Sequence, residues 1–299
     1  MSHYNESIYI IIMDSLEIKK VYWNKEIELP FIKWTICGYS RSGFRTGFYV
    51  KELDTMFDAG LQLAKTPSNI FITHTHADHI AELPFTLISN TLVNIYIPSV
   101  AKDHLKKYIE SMFMANFLSH QHNVHNANFI PVTMEPFEVV LNKSKFNVQV
   151  FKCDHSIPTL SYGFSEKKSK LKDEFIGKTS KEIIELKKQN IEITCEKIEK
   201  KFAYICDTSI KILDDHPEIL DYKVIFIECT FLELDEVNMA IEKKHINFHQ
   251  LLPFIKKTPD SHFMLFHFSM KYKDAEIEAY IDKQKEENNI TNISCWVTI

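Results

Sequence analysis

The chain has 299 residues, of which 45% are hydrophobic and 25% are charged, so it can bury a large core. Its formal net charge of -5 excludes a histone-like or polybasic nucleic-acid binder, although a local positive site remains compatible with it. Six cysteines without a C-x-x-C pair indicate free thiols in a reducing compartment rather than a disulfide framework.

The first apolar run, "SIYIIIM", is seven residues long and lies between Glu6 and Asp14, which predicts a first strand rather than a signal peptide. No other apolar run approaches the roughly 20 residues that a membrane-spanning helix needs. We therefore expect an intracellular, cytoplasmic protein that does not associate with a membrane.

Short β-branched and aromatic runs predict ten further strands. They lie at 31–39, 47–53, 55–60, 69–74, 94–98, 146–154, 160–164, 201–207, 223–230 and 262–268. Apolar stripes at helical spacing predict helices around 105–113 and 248–255. Strands and helices thus alternate without a Pro/Gly/Ser linker, which predicts a single domain over 1–299 with two packed sheets covered by helices.

The segment 165–201 differs in charge from the rest of the chain. It carries eleven lysines against eight acidic residues, a local excess of three positive charges. Two interpretations remain open: a solvated helix with its flanks, or a basic arm that contacts an anionic polymer.

The stretch "FITHTHADHI" follows a predicted strand and gathers His74, His76, Asp78 and His79. Imidazole and carboxylate groups suit Zn²⁺ or Mn²⁺, and histidines at i and i+2 can converge on one ion, with Asp78 and His79 facing a second. Two sites need more ligands, and His155, Asp207 and His267 each follow a predicted strand. The sequence therefore predicts a metal centre built from several strand ends.

Five motifs resemble, in order, those of the metallo-β-lactamase superfamily: "FDAG", "THTHADH", "CDHS", "CDT" and "FHFS" between residues 57 and 269. This resemblance implies an αββα sandwich, two mixed β-sheets flanked by helices. It implies that His74, His76 and His155 hold one zinc ion and that Asp78, His79 and His267 hold the other. Asp207 would bridge the two ions, and Asp58 would orient a ligand from behind.

Two further stretches resemble the ribonuclease Z group, which trims the 3′ end of precursor tRNA. Glu228 in "FIECTF" matches the glutamate of the group's H-E-A-T motif, and His245 in "KKHINFHQ" matches the histidine of its G-H-S-T motif. "HFSMKY" resembles H-x-S-x-R-Y, with Lys271 in place of arginine. The resemblance also implies a homodimer.

The sequence departs from that group in two places. The Gly/Pro-rich flexible arm is absent: Asp207 lies only 52 positions after His155, and the lysine-rich segment 165–201 takes its place. The expected P-x-K-x-R-N stretch is replaced by "SRSGFRTGF", which offers Arg41 and Arg45. A third histidine group, "HQHNVH" at 120–125, has no acidic residue and is interpreted as a polar loop.

These features predict a phosphodiesterase with two zinc ions, or Mn²⁺ in their place, that acts on RNA, with precursor tRNA as the implied substrate. Hydroxide held by the ions would attack phosphorus, and Asp78 would take up a proton. His245, backed by Glu228, would protonate the leaving 3′ oxygen, while Ser269 and Lys271 would bind the phosphate.

Two alternatives remain. The first is a hydrolase of small acyl substrates, such as a β-lactam or a glyoxalase II-type thioester, that uses the same hydroxide on a carbonyl. Asp207 as a bridging ligand weighs against the common β-lactamases but not against glyoxalase II. The second is a binding or scaffold protein with a degenerate site, which the presence of every expected ligand disfavours.

Overall fold

A computed structural model describes residues 22–63, 65–88, 91–118 and 126–297. The predicted strand in "SIYIIIM" and the histidine group at 120–125 lie outside these residues. Within them, no helix is long and apolar enough to cross a membrane.

The described residues form two seven-stranded sheets. The first sheet runs in the order β1 to β7: β1 (Glu26–Glu28), β2 (Thr35–Arg41), β3 (Arg45–Val50), β4 (Thr55–Phe57), β5 (Asn69–Phe71), β6 (Val93–Pro98) and β7 (Ala127–Val132). The second runs from β14 back to β8: β8 (Phe137–Leu141), β9 (Ser144–Lys152), β10 (Leu160–Leu171), β11 (Thr194–Ile205), β12 (Val224–Glu228), β13 (His262–Phe266) and β14 (Ile293–Cys295). Both sheets mix parallel and antiparallel pairs.

Helices connect and cover the strands. They are α1 (Ala77–Ile80), α2 (Leu83–Thr86), α3 (Lys102–Phe117), α4 (Ser180–Lys188), α5 (Lys211–Asp215), α6 (Val237–Lys243), α7 (Phe248–Lys257) and α8 (Asp274–Asn288). The predicted helices around 105–113 and 248–255 correspond to α3 and α7. Helix α7 is capped at its N-terminus by Asn247, whose side chain accepts a hydrogen bond from the His249 amide in a capping box completed by Gln250.

Three apolar clusters show the layers. The middle one lies between the sheets and is mainly aromatic, with Phe48, Phe57, Phe71, Tyr204 and Phe226 all fully buried. A second cluster joins β12 and β13 to α7 and α8, and a third joins β4 to β6 with α3. The central strands of each sheet bury both faces, the outer one against helices, and the predicted αββα sandwich is confirmed.

The lysine-rich segment 165–201 begins and ends in a two-stranded ribbon. Strands β10 and β11 continue their antiparallel pairing from Ser165–Lys200 out to Leu171–Thr194, beyond a bulge at Phe164. Helix α4, capped by Thr179 and Glu182, spans part of the connection. The exposed helix α4 agrees with the interpretation of a solvated helix, whereas both of its flanks continue into paired strands.

Candidate metal centre

The predicted ligands meet at one edge of the sandwich. Strands β4 and β5 run parallel, as do β11, β12 and β13, and the carboxyl ends of parallel strands share an edge. Asp58, His74, Asp207, Glu228 and His267 all lie at or just beyond these ends. The side chains that the sequence spread over some 200 positions are thus brought together by strand direction.

Three of these residues leave their strands in a left-handed backbone conformation: Asp58 at φ 55°, Asp207 at φ 28° and His267 at φ 64°. Residues other than glycine take this conformation at a cost, and such strain concentrates at functional sites. At each of these strand ends the backbone leaves the extended conformation at the residue whose side chain joins the site.

The first ligand group consists of His74, His76, His155 and Asp207, whose ligand atoms lie within 4.8 Å of one another. Nδ1 of His76 lies 3.0 Å from Nε2 of His74 and 3.2 Å from Nε2 of His155. Oδ2 of Asp207 lies 3.6 Å from His74 Nε2 and 3.7 Å from His155 Nε2. Three imidazoles and one carboxylate oxygen match the donor set of a zinc site.

The second group consists of Asp78, His79 and His267, with the other oxygen of Asp207 beside it. Oδ2 of Asp78 lies 3.4 Å from His79 Nε2 and 3.7 Å from His267 Nε2. Oδ1 of Asp207 lies 3.6 Å from His79 Nε2 and 3.2 Å from His267 Nε2. Asp207 therefore turns one oxygen to each group, as a bridging ligand requires.

Residues behind the ligands fix the histidine tautomers. Nδ1 of His79 donates a hydrogen bond of 3.0 Å to the buried Asp58, which also accepts from the Thr73 amide at 2.8 Å and the Tyr204 hydroxyl at 3.1 Å. Nδ1 of His74 lies 2.9 Å from the Thr73 hydroxyl, which in turn donates to Asp58. In both histidines Nε2 is thereby left as a lone-pair donor towards the ligand groups.

Thr230 fixes the tautomer of His267 in the same way. Its hydroxyl lies 2.8 Å from Oε2 of Glu228 and 3.2 Å from Nδ1 of His267, so it can donate to the carboxylate and accept from the imidazole. The sequence analysis did not single out Thr73 or Thr230. Each was visible as the threonine within a motif already quoted, "THTHADH" or "FIECTF".

Gly60 allows the metal-ligand loop to approach the first sheet. A Cβ atom at this position would lie 1.8 Å from the carbonyl oxygen of Asp78 and 2.7 Å from that of Thr46. The neighbouring Ala59 amide donates to the His79 carbonyl at 2.7 Å. Only a residue without a side chain fits between β3 and α1, a requirement that sequence alone did not reveal.

The electrostatics of the site favour a cation. Burial lowers the pKa of His74 well below its ordinary value, which keeps this imidazole neutral and able to bind a metal. Burial acts to lower the pKa of His79 as well, but the charges of Asp207 and Asp58 outweigh it and raise that pKa. Burial acts to raise the pKa of Asp207, and the facing His267 and His79 instead hold it well below its usual range. Positive charge is thus stabilised between the carboxylates.

Two buried nitrogen atoms that make no hydrogen bond among the described residues also indicate a divalent metal ion. Nε2 of His79 and Nε2 of His267 are buried and make no hydrogen bond among the described residues, although both lie close to the carboxylates of the second group. Buried polar atoms are nearly always satisfied, so such atoms call for an unseen partner. Their chemistry, imidazole with carboxylate, is that of zinc or manganese sites.

Glu228 and His245 stand beside the two ligand groups, and the ligand atoms of His245, Asp207 and His267 also lie within 4.8 Å of one another. Nδ1 of His245 lies 2.8 Å from Oε1 of Glu228, and the His245 ring centroid is 5.2 Å from that of His155. His245 also lines a cavity of about 400 Å³ together with Asp78, Asp207 and His267. Burial acts to lower the pKa of His245, but the charge of Glu228 and the hydrogen bond to it raise that pKa to about 9.

Of the four residues that the sequence assigned to phosphate contact or offered for it, Arg41, Arg45 and Lys271 are engaged with other groups of the protein. The guanidinium of Arg41 is buried and donates to the carbonyls of Ser269, at 3.3 Å, and Tyr272, at 3.0 Å, while forming an ion pair with Asp274. Arg45 binds the Gly60 carbonyl at 2.9 Å and Glu82 at 2.6 Å. Lys271 forms an ion pair with Glu236, and Ser269 pairs through its backbone with Ser42.

Comparisons with known proteins identify the family to which the chain is similar. Residues 53–268 match the family described as "Beta-lactamase superfamily domain". The chain is 30% identical over 253 residues to tRNase Z TRZ1 of Arabidopsis thaliana, covering 82% of this chain and 89% of that protein. It is 25% identical over 244 residues to ribonuclease Z of Treponema denticola, covering 73% and 75% of the two chains.

Among solved structures, the metallo-β-lactamase fold protein YhfI from Bacillus subtilis superposes with a TM-score of 0.56 at 13% identity, over 87% of this chain and 94% of that one. This likeness supports the fold alone. The fold, the ligand set and the sequence relatives together lead to one conclusion: the chain belongs to the ribonuclease Z family of the metallo-β-lactamase superfamily, a family of metal-dependent endoribonucleases.

Proposed function

We propose that this protein is a ribonuclease Z that cleaves precursor tRNA at its 3′ end with the help of two metal ions, zinc or manganese. The observation that carries the proposal is the Glu228–His245 pair at the edge of the metal cavity. Metal binding does not require this pair, whereas cleavage of a phosphodiester with a poor leaving group requires a proton donor. Relatives named tRNase Z and ribonuclease Z support the choice of substrate.

In this proposal His74, His76 and His155 hold one ion, Asp78, His79 and His267 hold the other, and Asp207 contacts both. The bound ions would supply a water of lowered pKa and positive charge beside the phosphate. Side chains of the protein would accept and donate the protons.

Asp78 is the proposed proton acceptor. Burial acts to raise its pKa, but the facing imidazoles of His267 and His79 outweigh it and hold the pKa below its ordinary value. The Gly43 amide donates to Oδ2 of Asp78 at 3.1 Å and fixes the carboxylate at the wall of the cavity. Asp78 therefore remains ionised and oriented towards the cavity at neutral pH.

His245 is the proposed proton donor. Its Nδ1 is engaged by Glu228, so Nε2 carries the proton that passes to the leaving 3′ oxygen. The raised pKa keeps the imidazole protonated at neutral pH. Ser269 and Lys271 complete the proposal as phosphate contacts, and Lys271 would have to exchange Glu236 for the phosphate.

The test is cleavage of a 3′-extended precursor tRNA, beside an unstructured RNA and a chromogenic β-lactam, by the wild type and Asp78→Ala with zinc or manganese supplied. Cleavage after the acceptor stem that disappears in the variant would support the proposal. Turnover of the lactam alone would establish the acyl-hydrolase alternative, and indiscriminate RNA cleavage would exclude precursor tRNA as the specific substrate.

Location and assembly are also part of the proposal. All six cysteines are free, which agrees with a reducing intracellular compartment such as the cytoplasm. A homodimer is proposed from the family resemblance, and analytical ultracentrifugation at several protein concentrations tests it.

A further inference from the structure

A second cavity opens beside the metal cavity. It has a volume of about 630 Å³, and the two cavities share His155, Ser156 and Lys244 as common walls. The second cavity carries Lys152, Lys211 and Lys244 against Asp154 and Asp215. A groove with an excess of lysine thus leads directly away from the metal centre in a chain whose net charge is negative.

Lys244 stands where the two cavities meet. It ends helix α6 in a left-handed conformation, φ 55° and ψ 49°, which costs a lysine more than a glycine. Its ammonium lies 2.9 Å from Oδ1 of Asp154 and 3.4 Å from the carbonyl oxygen of His155. The strained turn therefore places a cation over the loop that carries a metal ligand, one residue before the proposed proton donor.

Asp154, which forms the ion pair with Lys244, also interacts with other residues. Asp154 is shared with Lys211, whose ammonium lies 3.9 Å away, and with the Ser209 hydroxyl at 2.9 Å. The Lys244 side chain is 44% exposed, and ion pairs between exposed groups contribute little stability. A phosphate anion can thus replace Asp154 as the partner of Lys244 without uncovering a buried charge.

We propose that Lys244, with Lys211 at its side, binds the phosphodiester next to the scissile one in a single-stranded segment of RNA. This inference rests on the proposed function, because it assumes that the scissile phosphate lies at the metal centre beside His245. It adds a contact that neither metal group supplies and that selects a polynucleotide over a small phosphodiester. Lysine is suited to this task as a compact cation on a flexible stem.

The experiment compares the wild type with Lys244→Met and Lys244→Arg on two substrates over a salt series. One substrate is the 3′-extended precursor tRNA, and the other is bis(4-nitrophenyl) phosphate, which has no neighbouring phosphodiester. We expect Lys244→Met to lower kcat/KM on the RNA about 10-fold, mainly through KM, since this is the scale of one phosphate contact. The salt dependence should become shallower by about 0.7 in the log–log slope.

Lys244→Arg should recover most of the loss, because it keeps a cation at the same position. If Lys244→Met lowered kcat/KM equally on both substrates, the metal centre would be disturbed and the proposal would be overturned. An unchanged KM and salt slope on the RNA would also overturn it. If the wild type hydrolyses the small diester but not the RNA, the proposed function itself has failed, which is a distinguishable result.

Asp154→Asn provides the matched control. It breaks the same ion pair but keeps the cation of Lys244. If Lys244 binds phosphate, removing the competing carboxylate should raise kcat/KM on the RNA. If Lys244 serves only to hold the His155 loop, Asp154→Asn should reproduce the loss seen in Lys244→Met, and the proposal would be overturned.

A neutral methylphosphonate placed on one side or the other of the scissile bond then locates the contact. We expect the neutral linkage on one side to slow the wild type and to have no further effect in Lys244→Met. If the effects of the neutral linkage and of Lys244→Met were fully additive on either side of the scissile bond, Lys244 would contact neither neighbouring phosphate.

Discussion

Nδ1 of His245 lies 2.8 Å from Oε1 of Glu228, a fully buried carboxylate that also accepts hydrogen bonds from the amides of Thr208, Thr230 and Ile246. A carboxylate fixed on so many sides cannot move, so it holds the imidazole in one orientation and one tautomer. The first prediction follows from this geometry.

Replacing the proton donor should matter most for a poor leaving group. We expect His245→Ala to lower kcat on RNA by about 10²- to 10⁴-fold, the usual contribution of general acid catalysis. On bis(4-nitrophenyl) phosphate, whose leaving group needs no proton, the fall should be much smaller. Equal losses on both substrates would assign His245 to substrate positioning rather than to proton transfer.

Glu228→Gln should change the pH profile. The raised pKa of His245, about 9, means that the protonated acid is present below that pH and is lost as the pH rises through it. Removing the charge of Glu228 lowers this pKa, so the alkaline limb of kcat should move to lower pH. The measurement is kcat on RNA between pH 6 and 10 for both proteins, and an unmoved limb would contradict the assignment.

Asp58→Asn should weaken metal binding although Asp58 lies behind the ligand His79. Losing the carboxylate that receives the His79 Nδ1 proton should reduce metal affinity by about 10- to 100-fold. Competition with a chromogenic chelator measures it. Asp54→Asn is the control, because Asp54 binds Tyr49, Lys65 and Ser68 away from the ligands, and it should retain the wild-type affinity.

The number of metal ions bound per chain should distinguish the role of Asp78 from that of Asp207. Asp207 faces both ligand groups, whereas Asp78 faces only the second. By inductively coupled plasma mass spectrometry we expect about two ions per chain in the wild type and about one in Asp78→Asn. Asp207→Asn should hold fewer than one. A full complement of ions in Asp207→Asn would refute the bridging position.

Arg41 and Arg45 should differ in their effect on stability. Arg41→Ala removes a buried guanidinium that holds two carbonyls and Asp274, and should lower the free energy of unfolding by about 3 kcal/mol. Arg45→Ala, with a side chain 32% exposed, should cost about 1 kcal/mol or less. Urea denaturation measures both, and similar losses would contradict this ranking.

The ten strands predicted from the sequence correspond to β2 to β6 and β9 to β13, the interior strands of the two sheets. The four that the sequence did not predict, β1, β7, β8 and β14, are the edges. Interior strands such as β4, β5 and β12 bury every side chain and therefore need a continuous apolar run. An edge strand such as β7, with one fully buried side chain, carries no such pattern.

The sequence by itself determined which residues are the candidate ligands, because metal chemistry demands particular residue types and each motif is only a few residues long. Histidines, aspartates and the Glu228–His245 pair were all identifiable in order along the chain. Strand ends supply the context in which such residues become functional groups.

Only the tertiary structure decided how these groups face one another. Asp207 divides its two oxygens between ligands that come from both sheets, and Lys271 forms an ion pair with Glu236. The lysine-rich segment extends the pairing of β10 with β11. Local sequence specifies the conformations of neighbours, whereas these relations join residues far apart in the chain and depend on strand register and the packing of the two sheets.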